Sequence, residues 1–312
     1  MIAYKNYFIL LTFLQTFKYI QFSFKREIDM KTSTQTDCLQ NTFGIEKAIE
    51  IISCVGFDAI DISLFTADWE ENPLSRSDYK EYARYLKSIA KCNGTYFNQS
   101  HAPFPSFKEG NDEYNTFIYP AIVKAIEFSA EIGASQVIVH PFVMKKNQKK
   151  ENLKFFNSLL PHCKEYNIKV ALENMFGRNK KTGRLVPNVC STGKELSEYV
   201  DALDSKYFTA CLDIGHAGLV GETAVNMIHA LGHDRLTALH VHDNNMLEDM
   251  HTLPFTRDLD FEAITAALKD IKYSGDMTLE SDHFLYDFPD ELKVDATRLM
   301  AVVAKYLAKK SS

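Results

Sequence analysis

Short apolar runs alternate along most of this chain with longer segments whose apolar residues recur every third or fourth position. The first pattern predicts buried strands and the second amphipathic helices, because strand side chains alternate faces while helix neighbours lie three and four residues apart. Strands are predicted at 31–37, 58–62, 95–100, 136–140, 168–173, 207–213, 236–241 and 276–280. Helices are predicted near 44–55, 77–92, 113–132, 151–166, 192–203, 222–231, 259–270 and 289–308. Tyr82, Tyr85, Leu86 and Ile89 show the helical spacing, and Ser191 or Thr192 with Glu195 offers a capping box.

Gly56, Gly94, Gly133, Asn167 and Gly275 stand where helices must stop before the next strand. Unbroken strand–helix alternation in eight units predicts an α/β protein, a (β/α)₈ TIM barrel. An open doubly wound sheet would call for a Gly-rich phosphate loop after its first strand, and TDCLQNTFG has none. No linker divides residues 30–312, which are read as one barrel domain.

Residues 1–29 break the pattern. They are rich in Phe, Tyr, Ile and Leu and contain no Gly or Pro. Gln15 and Lys18 interrupt the apolar run, so neither a signal peptide nor a membrane span is a good reading. They are expected to be an N-terminal extension outside the fold, which begins near Met30.

Polar residues sit at the ends of the apolar runs. YFNQSHAPF, VIVHPF, VALENMFG, FTACLDIGH, LTALHVHDN and MTLESDHF place His101, His140, Glu173, Asp213, His216, His240 and Glu280 at strand ends, with Asp249 and His251 in a following loop. In a parallel barrel those ends share one face. A carboxylate ending a buried strand needs compensation, and a divalent metal would supply it for Glu173, Asp213 and Glu280 together. His240 is the expected nitrogen ligand, and of the pair His240 and His242 only His240 is expected to face the barrel axis. Cys211 is read as packing, Asp282 and His283 as neighbours of the site, and His162, His229 and His233 as uninvolved. A single strand-end His or Glu is more often a hydrogen-bond or ion-pair partner than a ligand. The repetition of the pattern in six units is what favours a metal.

The net charge of −6 argues mildly against broad nucleic-acid binding. The six cysteines form no CxxC pair, which points to free thiols in a reducing compartment and a cytoplasmic protein. The loop FGRNKKTGRLVPN is basic through Arg178, Lys180, Lys181 and Arg184, whereas FTADWEENPLSR carries Asp68, Glu70 and Glu71.

In order, GFDAIDIS, HAP, VIVHP, LEN, LDIGHA, HVHDN and LES resemble the xylose-isomerase-like barrels over about residues 31–285. That group includes sugar phosphate isomerases and epimerases and the related endonuclease IV proteins (AP endonuclease family 2). The resemblance to ketose 3-epimerases implies one divalent metal (Mn, Mg, Co or Zn) on Glu173, Asp213, His240 and Glu280. Glu173 and Glu280 would also be the acid/base pair of an enediolate mechanism on a small sugar or sugar phosphate, with His216 touching substrate. Resemblance to the endonuclease IV branch implies the alternative: three zinc ions held by those four plus His101, His140, His216, Asp249 and His251, acting on abasic DNA. A barrel that binds a ligand without catalysis is a third possibility, and the intact carboxylates count against it. The Gly-rich turn frequent in the isomerases is replaced by LPFTRDLDF. There Arg257 either binds a substrate phosphate or carboxylate or pairs with Asp258 or Asp260. Homo-oligomers are common in the group.

Overall fold

The structure, a computed structural model, describes residues 30–65 and 72–312. The extension 1–29 and the acidic Asp68, Glu70 and Glu71 lie outside the described residues. Strand β1 (Thr32–Gln35) is followed by β2 (Ala59–Ser63), β3 (Tyr96–His101), β4 (Gln136–Val139) and β5 (Lys169–Glu173). A two-stranded hairpin, β6 (Phe176–Arg178) and β7 (Leu185–Pro187), precedes β8 (Phe208–Asp213), β9 (Leu236–His240) and β10 (Met277–Leu279). Eight strands make one parallel sheet in the order β10-β1-β2-β3-β4-β5-β8-β9. Val241, just past β9, bridges to Leu279 and brings the two edges together, with Val241 N–H donating to Thr278 O at 2.9 Å and Glu280 N–H to Val241 O at 3.0 Å. The predicted TIM barrel is therefore present, and each predicted strand matches an observed one to within a residue or two.

Alternation along the strands sorts the core into two parts. Val137, Val139, Val170, Leu172, Ala210, Leu212 and Leu239 point outward into the large layer shared with the helices. Ile138, Ala171, Cys211 and Ala238 form a separate buried layer inside the barrel. One alternation further along, Glu173, Asp213 and His240 follow Ala171, Cys211 and Ala238 on the same inward parity. The apolar layer is thus the floor on which the polar strand ends stand.

The helix stops behave largely as expected. Gly56, Gly133 and Asn167 adopt left-handed φ of 102°, 96° and 49° as helix caps. Gly275 has another reason to be glycine. A Cβ there would lie 2.2 Å from Tyr273 Oη and 2.6 Å from Thr237 O, so close approach is the constraint. Thr192 caps its helix, accepting from Glu195 N–H at 3.2 Å.

Five elements among the described residues had no counterpart in the predicted pattern: the helices Asp37–Phe43, Ile214–Leu219 and His283–Tyr286, the 3₁₀ turn Pro73–Ser75, and the β6–β7 hairpin. Each is too short to display a period. All six cysteines are free, with Cys38, Cys163, Cys190 and Cys211 buried and Cys54 and Cys92 exposed. Among the described residues no helix is long and apolar enough to cross a membrane.

Candidate metal centre

The nine strand-end and loop residues singled out above converge at the C-terminal mouth of the barrel. Among the described residues, donor atoms lie within 4.8 Å of one another in four sets: His101, His140 and Glu173; Glu173, Asp213, His240 and Glu280; His101, His240 and Glu280; and, sharing no member with these, His216, His242, Asp249 and His251. Glu173 belongs to the first two sets. His240 Nδ1 stands between the two glutamates, 3.2 Å from Glu173 Oε1 and 3.1 Å from Glu280 Oε2.

His242 was not expected here. Residues two apart on a strand share a face, so His242 follows His240 toward the site rather than opposing it. Its Nε2 lies 3.0 Å from Asp213 Oδ1, and its ring stacks on His251 at 4.1 Å between centroids. The place is opened by Gly215, where a Cβ would sit 2.0–2.7 Å from the imidazole atoms. The HxH spacing in HVHDN was the available signal.

Backbone carbonyls fix how most of the histidines face. His101 Nδ1 contacts Ala102 O at 2.8 Å, His216 Nδ1 contacts Asn174 O at 2.8 Å, and His251 Nδ1 contacts Glu280 O at 3.0 Å. A carbonyl only accepts, so each Nδ1 carries a proton and each Nε2 is turned to the site. Asn174, also unforeseen, locks β5 to β8: its Oδ1 accepts from Asp213 N–H at 2.7 Å and its Nδ2 donates to Asp213 O at 2.9 Å. Asp213 in turn caps the helix Ile214–Leu219, accepting from His216 N–H at 2.7 Å. The DIGH sequence therefore sets a carboxylate and an imidazole one helical turn apart.

Asp243 secures the loop that carries Asp249 and His251. Its carboxylate accepts from the backbone N–H groups of Asn244, Leu259 and Arg257 at 2.9, 3.1 and 2.7 Å. Arg257 itself is exposed, and its guanidinium donates to Thr256 O at 2.7 Å. His162 is half-buried on its helix, His229 faces Asp270 at 3.7 Å, and His233 Nδ1 contacts Lys272 O at 2.7 Å, all outside the donor sets as expected. His283 packs 5.1 Å from the His251 ring, and Asp282 is buried nearby. Phe65 and Phe104 pack against His101 and Phe176 against His216, giving the mouth an aromatic wall.

The buried acidic and imidazole groups perturb one another strongly. Burial pushes Glu173 up, but His240 and His140 hold it well below the usual carboxylate range. Glu280 is likewise lowered against burial by His240 and His251, and Asp249 by His216 and His251. Burial disfavours charge on His216, yet Asp213 and Asp249 raise it to about 10. His240 and His251 are raised well above their ordinary range despite burial. Desolvation dominates at His140, which is lowered, and at Cys211, whose thiol is pushed up to about 12 and stays protonated beneath the site. Asp282 is raised by burial and by Asp37 to about 7.

These residues fit a divalent cation. Glu173 Oε2, Glu280 Oε2 and Asp249 Oδ1 are buried without a hydrogen bond. Glu173 Oε2 is only 2.9 Å from His140 Nε2, but the pair lacks hydrogen-bond alignment. His101 Nε2 and His140 Nε2 face each other at 2.9 Å. Native interiors seldom leave polar atoms orphaned in this way, and converging carboxylate and imidazole lone pairs are the donor chemistry of Zn, Mn, Co or Mg.

Residues 49–300 match the family described as xylose isomerase-like TIM barrel. A protein of Sinorhizobium fredii, y4fM, is 28% identical over 165 residues, covering 50% of each chain, so this chain spans about half of that relative. MJ1311 of Methanocaldococcus jannaschii is 27% identical over 66% of this chain and 69% of its own length. A probable endonuclease 4 of Acholeplasma laidlawii is 23% identical over 46% of this chain and 51% of its own. Among solved structures, a D-tagatose 3-epimerase-like protein superposes with a TM-score of 0.70 at 22% identity, covering 91% of this chain and all of that one. The 3-keto-D-glucoside 4-epimerase YcjR of E. coli superposes with a TM-score of 0.67 at 18% identity, covering 90% and 99%. At these identities the structural likeness speaks for the fold.

Proposed function

Because the chain belongs to the xylose isomerase-like TIM barrel family, we propose that it is a divalent-metal-dependent isomerase or epimerase of a small sugar or sugar phosphate. The observation that carries this reading is the buried set Glu173, Asp213, His240 and Glu280, with both glutamates within 3.2 Å of one imidazole nitrogen. A cation held there supplies Lewis-acid polarisation of a substrate carbonyl.

The chain's own residues do the rest. One glutamate takes the proton from the carbon beside the carbonyl, and the electron pair of that C–H bond moves to give an enediolate. The other glutamate enters as the acid and returns a proton. Delivery to the opposite face of the same carbon gives an epimer, and delivery to the neighbouring carbon gives an isomer. Phe65, Phe104 and Phe176 exclude water from part of the mouth. Arg257 and the exposed basic β6–β7 turn, with Arg178, Lys180, Lys181 and Arg184, stand ready for a phosphate or carboxylate on the substrate.

A second reading has its own support. The flanking sets complete the nine donors of a three-zinc phosphodiesterase acting on abasic DNA, and the basic β6–β7 turn suits a phosphate backbone. The overall negative charge weighs against it. Metal analysis of protein purified without chelator separates the two. The isomerase reading expects about one exchangeable ion of Mn, Mg or Co per chain. About three tightly held zinc ions per chain, with cleavage of abasic-site DNA, would favour the phosphodiesterase.

A further inference from the structure

His240 is oriented opposite to His101, His216 and His251. Those three turn Nδ1 to a backbone carbonyl and Nε2 to the site, whereas His240 turns Nδ1 to Glu173 and Glu280. Its Nε2 points down to Asp61, whose Oδ2 is 3.5 Å away. Asp61 lies on β2, in register with Gln35 of β1 and Gln99 of β3. It is fully buried, and its Oδ1 has no hydrogen bond. Gln99 Nε2 donates to its Oδ2 at 3.0 Å and holds the carboxylate under His240. Gln35 fixes Glu280 in a parallel way, donating to its Oε1 at 2.5 Å.

We propose that Asp61 is a positioning residue of the metal centre: it accepts the Nε2–H of His240 and so fixes the tautomer that presents the Nδ1 lone pair to the ion. Two observations carry this. A fully buried carboxylate needs a compensating partner, and His240 is the imidazole facing it. His240 Nε2 in turn has no other acceptor, and the 3.5 Å gap closes to a hydrogen bond with a shift of about half an ångström. The negative charge of Asp61 also makes the imidazole a stronger donor toward the cation. The inference rests on the metal reading of the site, but it concerns a residue outside all four donor sets.

The test is metal affinity, measured on full-length protein by competition with a chelator for Mn²⁺ and for Zn²⁺. Asp61→Ala is expected to weaken binding by about 10- to 100-fold, the range found for losing such an outer partner. Asp61→Asn, which keeps the volume and an acceptor oxygen but loses the charge, is expected to fall between Ala and wild type and to retain the wild-type melting temperature without metal. It is read alone if the Ala variant does not fold. A folded Asn variant binding both ions within about twofold of wild type overturns the role of Asp61. Wild-type protein that binds neither ion overturns the metal reading as well, so the two failures are distinct.

Discussion

The Nδ1 atom of His240 lies 3.2 Å from Oε1 of Glu173, both side chains being fully buried. That contact is an ion pair, and it lowers Glu173 while raising His240. Both residues belong to the central donor set, so a cation and a proton compete for one place. Replacing Glu173 by Gln removes a donor that two sets share. Metal content is expected to fall together with turnover, the latter by about 10²-fold or more if Glu173 moves the substrate proton. Metal analysis and initial rates on the purified variant check this, and unchanged values in both refute the placement of that ligand.

The proton–metal competition sets a pH dependence. His216, raised to about 10, and His240 and His251, also raised, contribute stability to the metal-free protein that is fully present below the unfolded value of about 6.5 and is lost as pH climbs through their folded values. The metal-bound protein needs the His240 imidazole without the displaced proton. The rise in melting temperature on adding metal should therefore be larger at pH 8.5 than at pH 6.5. Thermal melts at the two pH values, with and without the ion, measure the difference, and a smaller rise at the higher pH contradicts it.

Gly215→Ala should destabilise the protein although alanine is the better helix former. The added Cβ would fall 2.0–2.7 Å from the His242 ring, which is itself stacked on His251. Overpacking of this kind costs about 1–3 kcal/mol, against about 1 kcal/mol gained in propensity. Denaturant melts give the sign, and a net stabilisation would show that His242 is free to move aside.

Asp243→Ala should loosen the loop over the site. Three backbone N–H groups, of Asn244, Arg257 and Leu259, lose their acceptor. Each such bond to a charged group is worth about 1.5–3 kcal/mol. Hydrogen exchange is expected to quicken across residues 244–259, with His251 and Asp249 less well held. Protection equal to wild type would mean that the loop is anchored elsewhere.

Removing residues 1–29 should leave a folded barrel that still binds metal. β1 begins at Thr32, and Met30 N–H reaches Ser312 Oγ at 3.3 Å. Circular dichroism and metal binding of the shortened chain test this, and failure to fold would place part of the extension within the domain.

Much of this was readable before any coordinates. The strand–helix alternation located every barrel strand because buried parallel strands are continuous apolar runs. Glu173, Asp213, His240 and Glu280 stood out because each ends such a run. What stayed hidden was local or long-range. His242 needed the correct parity past the end of β9 and the gap left by Gly215. Asn174 and Asp243 work through backbone partners that no spacing reveals. Asp61, in GFDAIDIS, reads as an ordinary polar strand residue until β2 is seen beneath His240. The short helix Ile214–Leu219 was invisible to periodicity, yet it sets His216 one turn from Asp213.

The central claim is proton abstraction from a sugar by the Glu173–Glu280 pair. Incubating the metal-loaded protein with a panel of ketoses and their phosphates in deuterated water tests it most directly, with the recovered sugars read by mass spectrometry and NMR. The account predicts solvent deuterium at the carbon next to the carbonyl of at least one sugar, accompanied by its epimer or isomer, and lost in Glu173→Gln. No deuterium in any recovered sugar, from protein that cleaves abasic-site DNA, would contradict it.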